Sequence, residues 1–346
     1  MKKSLTLTVA AVAAGLLCGV AIAQNAQPPK AEPNMQKVLD AMAALKPKPI
    51  ETLSPEEARK QPTPADAVKK LLADSGKSTA PQDGVTMKTM SVQGKGGSFP
   101  VHVFTPEGKG PFPIVVYYHG GGFVIADTKV YESSVRALAK GAKAVVVSAD
   151  YRRAPEHKFP TQTEDAFAAY QWAIAHAKDI NGDATRVAVA GESAGGNLAT
   201  VVSMMARDQK VQMPVHQLLV YPVVNDDMNN ESYKKNANAK PLNKPMMAWF
   251  FKHYGADPKN PTALPMKAAS LKGLPPATVI TAEIDPLMTE GKAYADRLQK
   301  EGVAVNYKHY TGVTHEFFGM GAVVPKAKEA NDFATGELTK AFNAKR

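Results

Sequence analysis

Cys18 is the only cysteine in 346 residues, and it lies in the apolar run at the N-terminus. The chain beyond it therefore has no disulfide framework, no cysteine-ligated metal and no thiol nucleophile. No internal repeat is apparent. Basic residues exceed acidic ones by 42 to 32, but the lysines are spread rather than clustered with aromatics. That distribution reads as solvated surface, and no nucleic-acid partner is expected. The same excess is compatible with anionic substrates, wall polymers or membranes.

What is present begins with an export pattern. Lys2 and Lys3 form a positive n-region, residues 5–20 are apolar and rich in small side chains, and Ala21-Ile22-Ala23 offers a small-x-small cleavage site. Residues 1–23 are predicted to be a signal peptide, with the mature chain starting at Gln24 in the periplasm or the medium. An uncleaved membrane anchor is the alternative, although the apolar stretch is near the short limit for a span. Cleavage would remove Cys18, lower the net charge from +10 to +8 and leave no stable membrane anchor. Gly15-Leu16-Leu17 ahead of Cys18 does not resemble a lipoprotein attachment site.

With 44% hydrophobic and 21% charged residues, the chain can bury a large core in one α/β domain with a smaller appendage. Residues 24–34 are rich in Pro, Gln and Asn and read as a linker. Met35, Val38, Leu39, Met42 and Leu45 recur at helical spacing until Lys46-Pro47-Lys48-Pro49 ends the pattern. Ser54, Pro55 and Glu57 then form the signature of a capping box opening a second helix. Strands are predicted at 99–104, 114–118, 144–148, 186–190, 217–221, 278–282 and 303–307, alternating with helical patterns. The alternation implies a mostly parallel sheet with helices on both faces. The rhythm breaks between 225 and 261, a polar stretch followed by Met246, Met247, Trp249, Phe250, Phe251 and Tyr254. This stretch is expected to pack with the N-terminal helices as a cap over the catalytic edge of the sheet. The resulting division is 24–80 for linker and cap helices, 81–224 and 263–346 for the core, and 225–262 for the cap insertion.

Gly191-Glu192-Ser193-Ala194-Gly195 follows the apolar Val187-Ala188-Val189-Ala190 and precedes a helix-compatible run. Strand, sharp turn and helix would lift the Ser193 hydroxyl clear of the sheet and aim the Ala194 N–H at a forming oxyanion, a geometry suited to acyl transfer. His119-Gly120-Gly121-Gly122 follows the 114–118 strand, and its glycines let backbone N–H groups of Gly121 and Gly122 turn toward the same oxygen. A serine needs a base and an orienting acid. Asp285 and His315 each follow a later predicted strand, giving the chain order Ser, Asp, His. Taken singly, Asp285 could cap a helix and His315 could be a loop histidine. Phe123, Trp249 and Phe250 are candidate substrate walls, with Phe251 and Tyr254 beside them, though any single one of them reads more readily as cap core. Arg152, Arg153, Glu156 and His157 are expected to brace loops. No metal or organic cofactor is required.

The chain resembles the hormone-sensitive-lipase-like family of α/β-hydrolase carboxylesterases. The likeness is carried by His119-Gly120-Gly121-Gly122-Phe123, the 150–157 segment Asp-Tyr-Arg-Arg-Ala-Pro-Glu-His, Gly191-Glu192-Ser193-Ala194-Gly195-Gly196, Tyr221-Pro222, Asp285-Pro286-Leu287 and His315-Glu316-Phe317. It extends to residues 53–59 and 273–276, and so spans nearly the whole mature chain. The resemblance implies an α/β-hydrolase fold with a helical cap, a Ser193-His315-Asp285 triad and hydrolysis of short- to medium-chain acyl esters. A deacetylase, lactonase or amidase on the same scaffold is the alternative; a non-catalytic ligand receptor is disfavoured because all three triad residues are present. Relatives often dimerise, so a homodimer is a further expectation. Two positions depart from the family pattern: Glu192 stands where many relatives have Asp, and Glu316 where many have Gly. Glu192 is expected to orient loops. A Glu316 carboxylate facing the imidazole would favour charged His315 and shift the pH profile toward alkali.

Overall fold

The computed structural model describes residues 29–81 and 83–344. The predicted signal peptide, Cys18, Gln24 and the first part of the linker lie outside the described residues. Three helices lead: α1 (Pro33–Ala44), α2 (Pro55–Ala58) and α3 (Pro64–Asp74). The capping box at Ser54 is present, its hydroxyl accepting from the Glu57 N–H while the Glu57 carboxylate accepts from the Ser54 N–H. Two of the orphan donors at the helix start are satisfied in this way.

Eight strands follow: β1 (Val85–Gly94), β2 (Gly97–Pro106), β3 (Phe112–Tyr118), β4 (Val145–Ala149), β5 (Gly182–Glu192), β6 (Gln217–Val220), β7 (Ala277–Ile284) and β8 (Val305–Thr314). They form one sheet in the order β1-β2-β4-β3-β5-β6-β7-β8. β1 and β2 are antiparallel to each other, β2 is antiparallel to β4, and the remaining pairs are parallel. The first strand, β1, was not among those expected. It is an edge strand with only Val85, Val92 and Gly94 buried, so it carries no apolar run that would betray it.

The inner strands are apolar on both faces because both are covered. Along β3, Ile114, Val116 and Tyr118 pack with Tyr170, Leu198 and Leu298. These come from α5 (Thr161–Ala175), α6 (Ala194–Asp208) and α9 (Met288–Lys300). Val115 and Tyr117 point the other way, against Val135 of α4 (Glu132–Ala142) and Leu338 of α10 (Pro325–Asn343), in a cluster that also takes Met35 and Val38 of α1. The period of two along the strand thus feeds two cores, one on each face.

A third apolar cluster lies apart from the sheet faces. It joins Ile50 and Ala58 to Met247, Trp249 and Phe250 of α8 (Lys244–Tyr254), and includes Tyr233 of α7 (Glu231–Lys235). The Trp249 indole N–H donates to the Leu53 carbonyl at 3.2 Å. Residues nearly two hundred positions apart thereby form one packed roof.

Candidate active site

Ser193 sits between β5 and α6 at φ 58°, ψ −119°, a strained backbone held by its surroundings. A Cβ on Gly195 would fall 1.8 Å from the Tyr118 carbonyl oxygen, and one on Gly191 would fall 2.1 Å from the Gly195 carbonyl oxygen. Only glycine fits either position, which is why the turn can be so sharp. The Ser193 N–H is tied to the Val220 carbonyl at 2.9 Å, fixing the turn to the neighbouring strand.

Asp285 follows β7 and His315 follows β8, so parallel neighbours deliver both side chains to the same sheet edge as Ser193. His315 Nδ1 lies 2.7 Å from Asp285 Oδ2, and His315 Nε2 lies 2.9 Å from Ser193 Oγ. The other Asp285 oxygen accepts from the Leu287 N–H at 2.8 Å, which fixes the carboxylate plane. With Nδ1 donating to Asp285, Nε2 is free to accept the Ser193 hydroxyl proton. All three side chains are buried. Burial is the largest influence on His315 and opposes its charge, yet Asp285, Glu316 and Glu192 together outweigh it and raise its pKa above the ordinary imidazole value.

Glu192 and Glu316 both act electrostatically on the imidazole. Glu192 is buried, accepting the Tyr117 hydroxyl proton at 2.6 Å and, through its second oxygen, that of Tyr221. Burial, with Glu316 adding repulsion, pushes its carboxyl up to about 7. Tyr221 in turn packs against His315 with ring centroids 4.5 Å apart. Glu316 Oε1 accepts from the Tyr131 hydroxyl at 2.7 Å and lies 3.7 Å from His315 Nε2. Neither Tyr131 nor Tyr221 was singled out from sequence as lying beside the imidazole; each arrives from a distant segment, and only the fold brings them together.

The glycine loop after β3 carries Gly121 at φ 93° and Gly122 at φ 59°. A Cβ at Gly121 would strike the Ile125 carbonyl oxygen at 2.3 Å, and one at Gly122 would lie 2.2 Å from the Phe250 ring. The 150–155 segment braces this loop. Tyr151 donates to the His119 carbonyl at 2.9 Å, the Ala154 N–H donates to the Phe123 carbonyl at 2.9 Å, and Arg153 Nη1 donates to the Ala126 carbonyl at 2.6 Å. Asp150 ties in as well, accepting from both the N–H and hydroxyl of Thr128. Although burial opposes its charge, His102 and Thr128 hold its carboxyl down to about 2. Arg152 is committed to Asp165 at 2.7 Å, and Glu156 to Arg59. His157 is exposed.

A cavity of about 490 Å³ opens onto Ser193, His315, Gly121 and Gly122. Its volume falls within the range of small-molecule sites. Phe250, Met247 and Leu242 form one wall, and Leu39 and Met42 of α1 form another. Phe250 therefore faces the cavity. Phe123 and Trp249 are not among the described residues that line it. Phe123 stacks on Tyr254 at 3.9 Å, and Trp249 packs edge-on against Phe250 and His253 in the roof. The N-terminal helices were expected over the catalytic edge, but Leu39 and Met42 were not singled out as cavity residues, because the apolar stripe of an amphipathic helix looks the same whether it meets a core or a pocket.

Comparison with known proteins agrees with this fold. A family model described as the α/β-hydrolase fold matches residues 115–319. Carboxylesterase NlhH of Mycobacterium tuberculosis is 40% identical over 252 residues, covering 71% of this chain and 79% of that protein. Ethyl acetate hydrolase of Pseudomonas putida is 32% identical over 302 residues, covering 85% and 93%. Among solved structures, a thermostable esterase from Pseudomonas putida ECU1011 superposes with a TM-score of 0.81 at 36% identity, covering 92% of this chain and 99% of that one. With its sheet order, its serine turn and its glycine loop all in place, the chain belongs to the α/β-hydrolase-fold family, in its hormone-sensitive-lipase-like branch.

Proposed function

We propose that Ser193, His315 and Asp285 are the nucleophile, base and orienting acid of a carboxylesterase taking short- to medium-chain acyl esters. The chain is a carboxylic ester hydrolase by its family. The reading of its residues is carried by one observation: an unbroken relay from Asp285 through His315 to Ser193, opening on a largely apolar cavity beside the glycine loop.

In this mechanism His315 Nε2 takes the Ser193 proton as Oγ attacks the ester carbonyl. Asp285 keeps the Nδ1 proton in place and balances the imidazolium. The N–H groups of Gly121, Gly122 and Ala194 receive the developing oxyanion. His315 then protonates the leaving alcohol, leaving an acyl group on Ser193 that water removes. The roof of α8 and the N-terminal helices acts as the cap that bounds acyl length, a role supported by Phe250, Met247, Leu39 and Met42 lining the cavity. The leader pattern at 1–23 supports action outside the cytoplasm.

The test is turnover of nitrophenyl acetate, butyrate and octanoate by purified Ser193→Ala beside the unaltered protein. Removal of such a nucleophile costs about six orders of magnitude in turnover. Near-native rates in the variant would overturn the assignment.

A further inference from the structure

Glu316 places a carboxyl group where both the backbone and burial disfavour one. Its φ of 69° is left-handed, a conformation that glycine adopts without strain, so a glutamate here holds its carboxylate in place against a backbone cost. Burial pushes its carboxyl above the ordinary value, with His315 pulling the other way.

The position of that carboxylate is specific. Asp285 engages Nδ1 of His315, the nitrogen facing away from the reaction. Glu316 Oε1 lies 3.7 Å from Nε2, the nitrogen that faces Ser193 at 2.9 Å, and Glu316 lines the cavity together with both. The separation is too long for a direct hydrogen bond but suits a water oxygen about 2.8 Å from each atom. The charged and titratable groups around the imidazole come from several elements. Asp285 lies beyond β7, Glu192 ends β5, Tyr221 follows β6, and Tyr131 precedes α4. The Glu192 oxygens are engaged by Tyr117 and Tyr221. Glu316 is thus the acceptor placed on the Nε2 side and facing the cavity.

We propose that Glu316 positions the water that hydrolyses the acyl-enzyme, and by doing so favours water over alcohols as the acyl acceptor. The proposal rests on the acyl-Ser193 reading above. The water donates one O–H to Glu316 and the other to His315 Nε2. Its oxygen attacks the acyl carbon as Nε2 takes that second proton. The tetrahedral species then breaks its bond to Ser193 Oγ, which takes the proton back from Nε2, and the carboxylic acid leaves. An alcohol has a single O–H. Spending it on His315 leaves nothing for Glu316, so the carboxylate gives water an advantage that an alcohol cannot share.

The experiment compares the full protein with Glu316→Gly and Glu316→Gln on nitrophenyl butyrate, with and without added methanol. Three quantities are read, each on the variant's own pH plateau: the nitrophenolate burst, acyl-Ser193 by mass spectrometry after acid quench, and the ratio of methyl butyrate to butyric acid. Glycine suits the backbone here, so Glu316→Gly is expected to fold. Its deacylation should slow about tenfold and its ester-to-acid ratio rise about tenfold, the scale of one lost hydrogen bond. Glu316→Gln retains an acceptor and should stay within about threefold of the unaltered protein. An unchanged ratio and deacylation rate in Glu316→Gly, with Ser193 still acylated, would overturn the proposal. Failure to find acyl-Ser193 in any form would overturn the nucleophile assignment, and the water-positioning role with it.

Discussion

Arg59, at the end of α2, forks onto Glu156 with both Nη atoms, at 2.8 and 2.7 Å. The same guanidinium donates to the carbonyls of Val124 and Ala154, each at 2.8 Å. One side chain therefore fastens the N-terminal helices to the glycine loop and to the segment that braces it. The ion pair itself is half open to water, since Glu156 is 53% exposed, so its own contribution is small. The carbonyl bonds are less exposed and matter more. Arg59→Ala should cost about 1–3 kcal/mol in urea unfolding. Glu156→Gln should cost less than about 1 kcal/mol. Arg59→Ala should also raise KM more than it lowers kcat, because Arg59 helps to line the cavity but lies away from the reacting atoms.

Gly122 and Phe250 touch across the cavity mouth, so their substitutions should be coupled. Gly122→Ala places a methyl 2.2 Å from the Phe250 ring, on a backbone at φ 59°. Activity should fall at least tenfold, and Phe250→Ala in the same chain should restore part of it by relieving the clash while leaving the backbone strain. Gly195→Ala offers a contrast. Its methyl would meet the Tyr118 backbone at 1.8 Å, which no side-chain movement can relieve, and the variant should lose about 3 kcal/mol or more, or fail to fold. A double-mutant cycle on nitrophenyl butyrate and a thermal melt distinguish the two cases.

Asp285→Asn should leave the fold intact while lowering kcat by roughly four orders of magnitude, through loss of the tautomer that keeps Nε2 available. The measurement is steady-state turnover beside circular dichroism.

The pH profile should report Glu316. His315 acts as a base when neutral, and its pKa is raised above the ordinary imidazole value by Asp285, Glu316 and Glu192 acting against burial. The acid limb of kcat/KM therefore lies on the alkaline side of an unperturbed histidine. Glu316→Gly removes one of the charges that favour the imidazolium, so the limb should move toward acid. An unmoved limb would show that Glu316 does not act on the imidazole electrostatically.

Stability should fall as pH rises toward 8, and Glu290 is one cause. It is buried, accepts from the N–H groups of Val224 and Asn225, and burial pushes its carboxyl up to about 8. The folded state keeps a proton that the unfolded chain releases above its ordinary carboxyl value. The stability this contributes is full below the unfolded pKa and is lost through the window up to about 8. Glu290→Gln cannot ionise, so its melting temperature should vary less between pH 5 and 8 than that of the unaltered protein.

How much of this was legible beforehand depended on whether a feature is local. The serine turn, the glycine loop, the capping box at Ser54 and the fully buried strands announce themselves within a few residues, through small side chains, caps and apolar runs. The edge strand β1 did not, because its outward face is polar and its pairing with β2 lies in the backbone. Tyr131, Tyr221 and the α1 side chains in the cavity were equally hidden. Their roles exist only after segments distant in the chain have packed together, and a tyrosine or leucine reads the same in the sequence whether it meets core, carboxylate or substrate.

The most direct test of the Ser193-centred relay is covalent labelling. A fluorophosphonate probe at stoichiometric concentration, followed by intact-mass measurement and peptide mapping, should modify one site per chain, at Ser193, and abolish ester hydrolysis in proportion. Ser193→Ala should take up no label. Modification at another residue, or full activity in the labelled protein, would contradict the assignment.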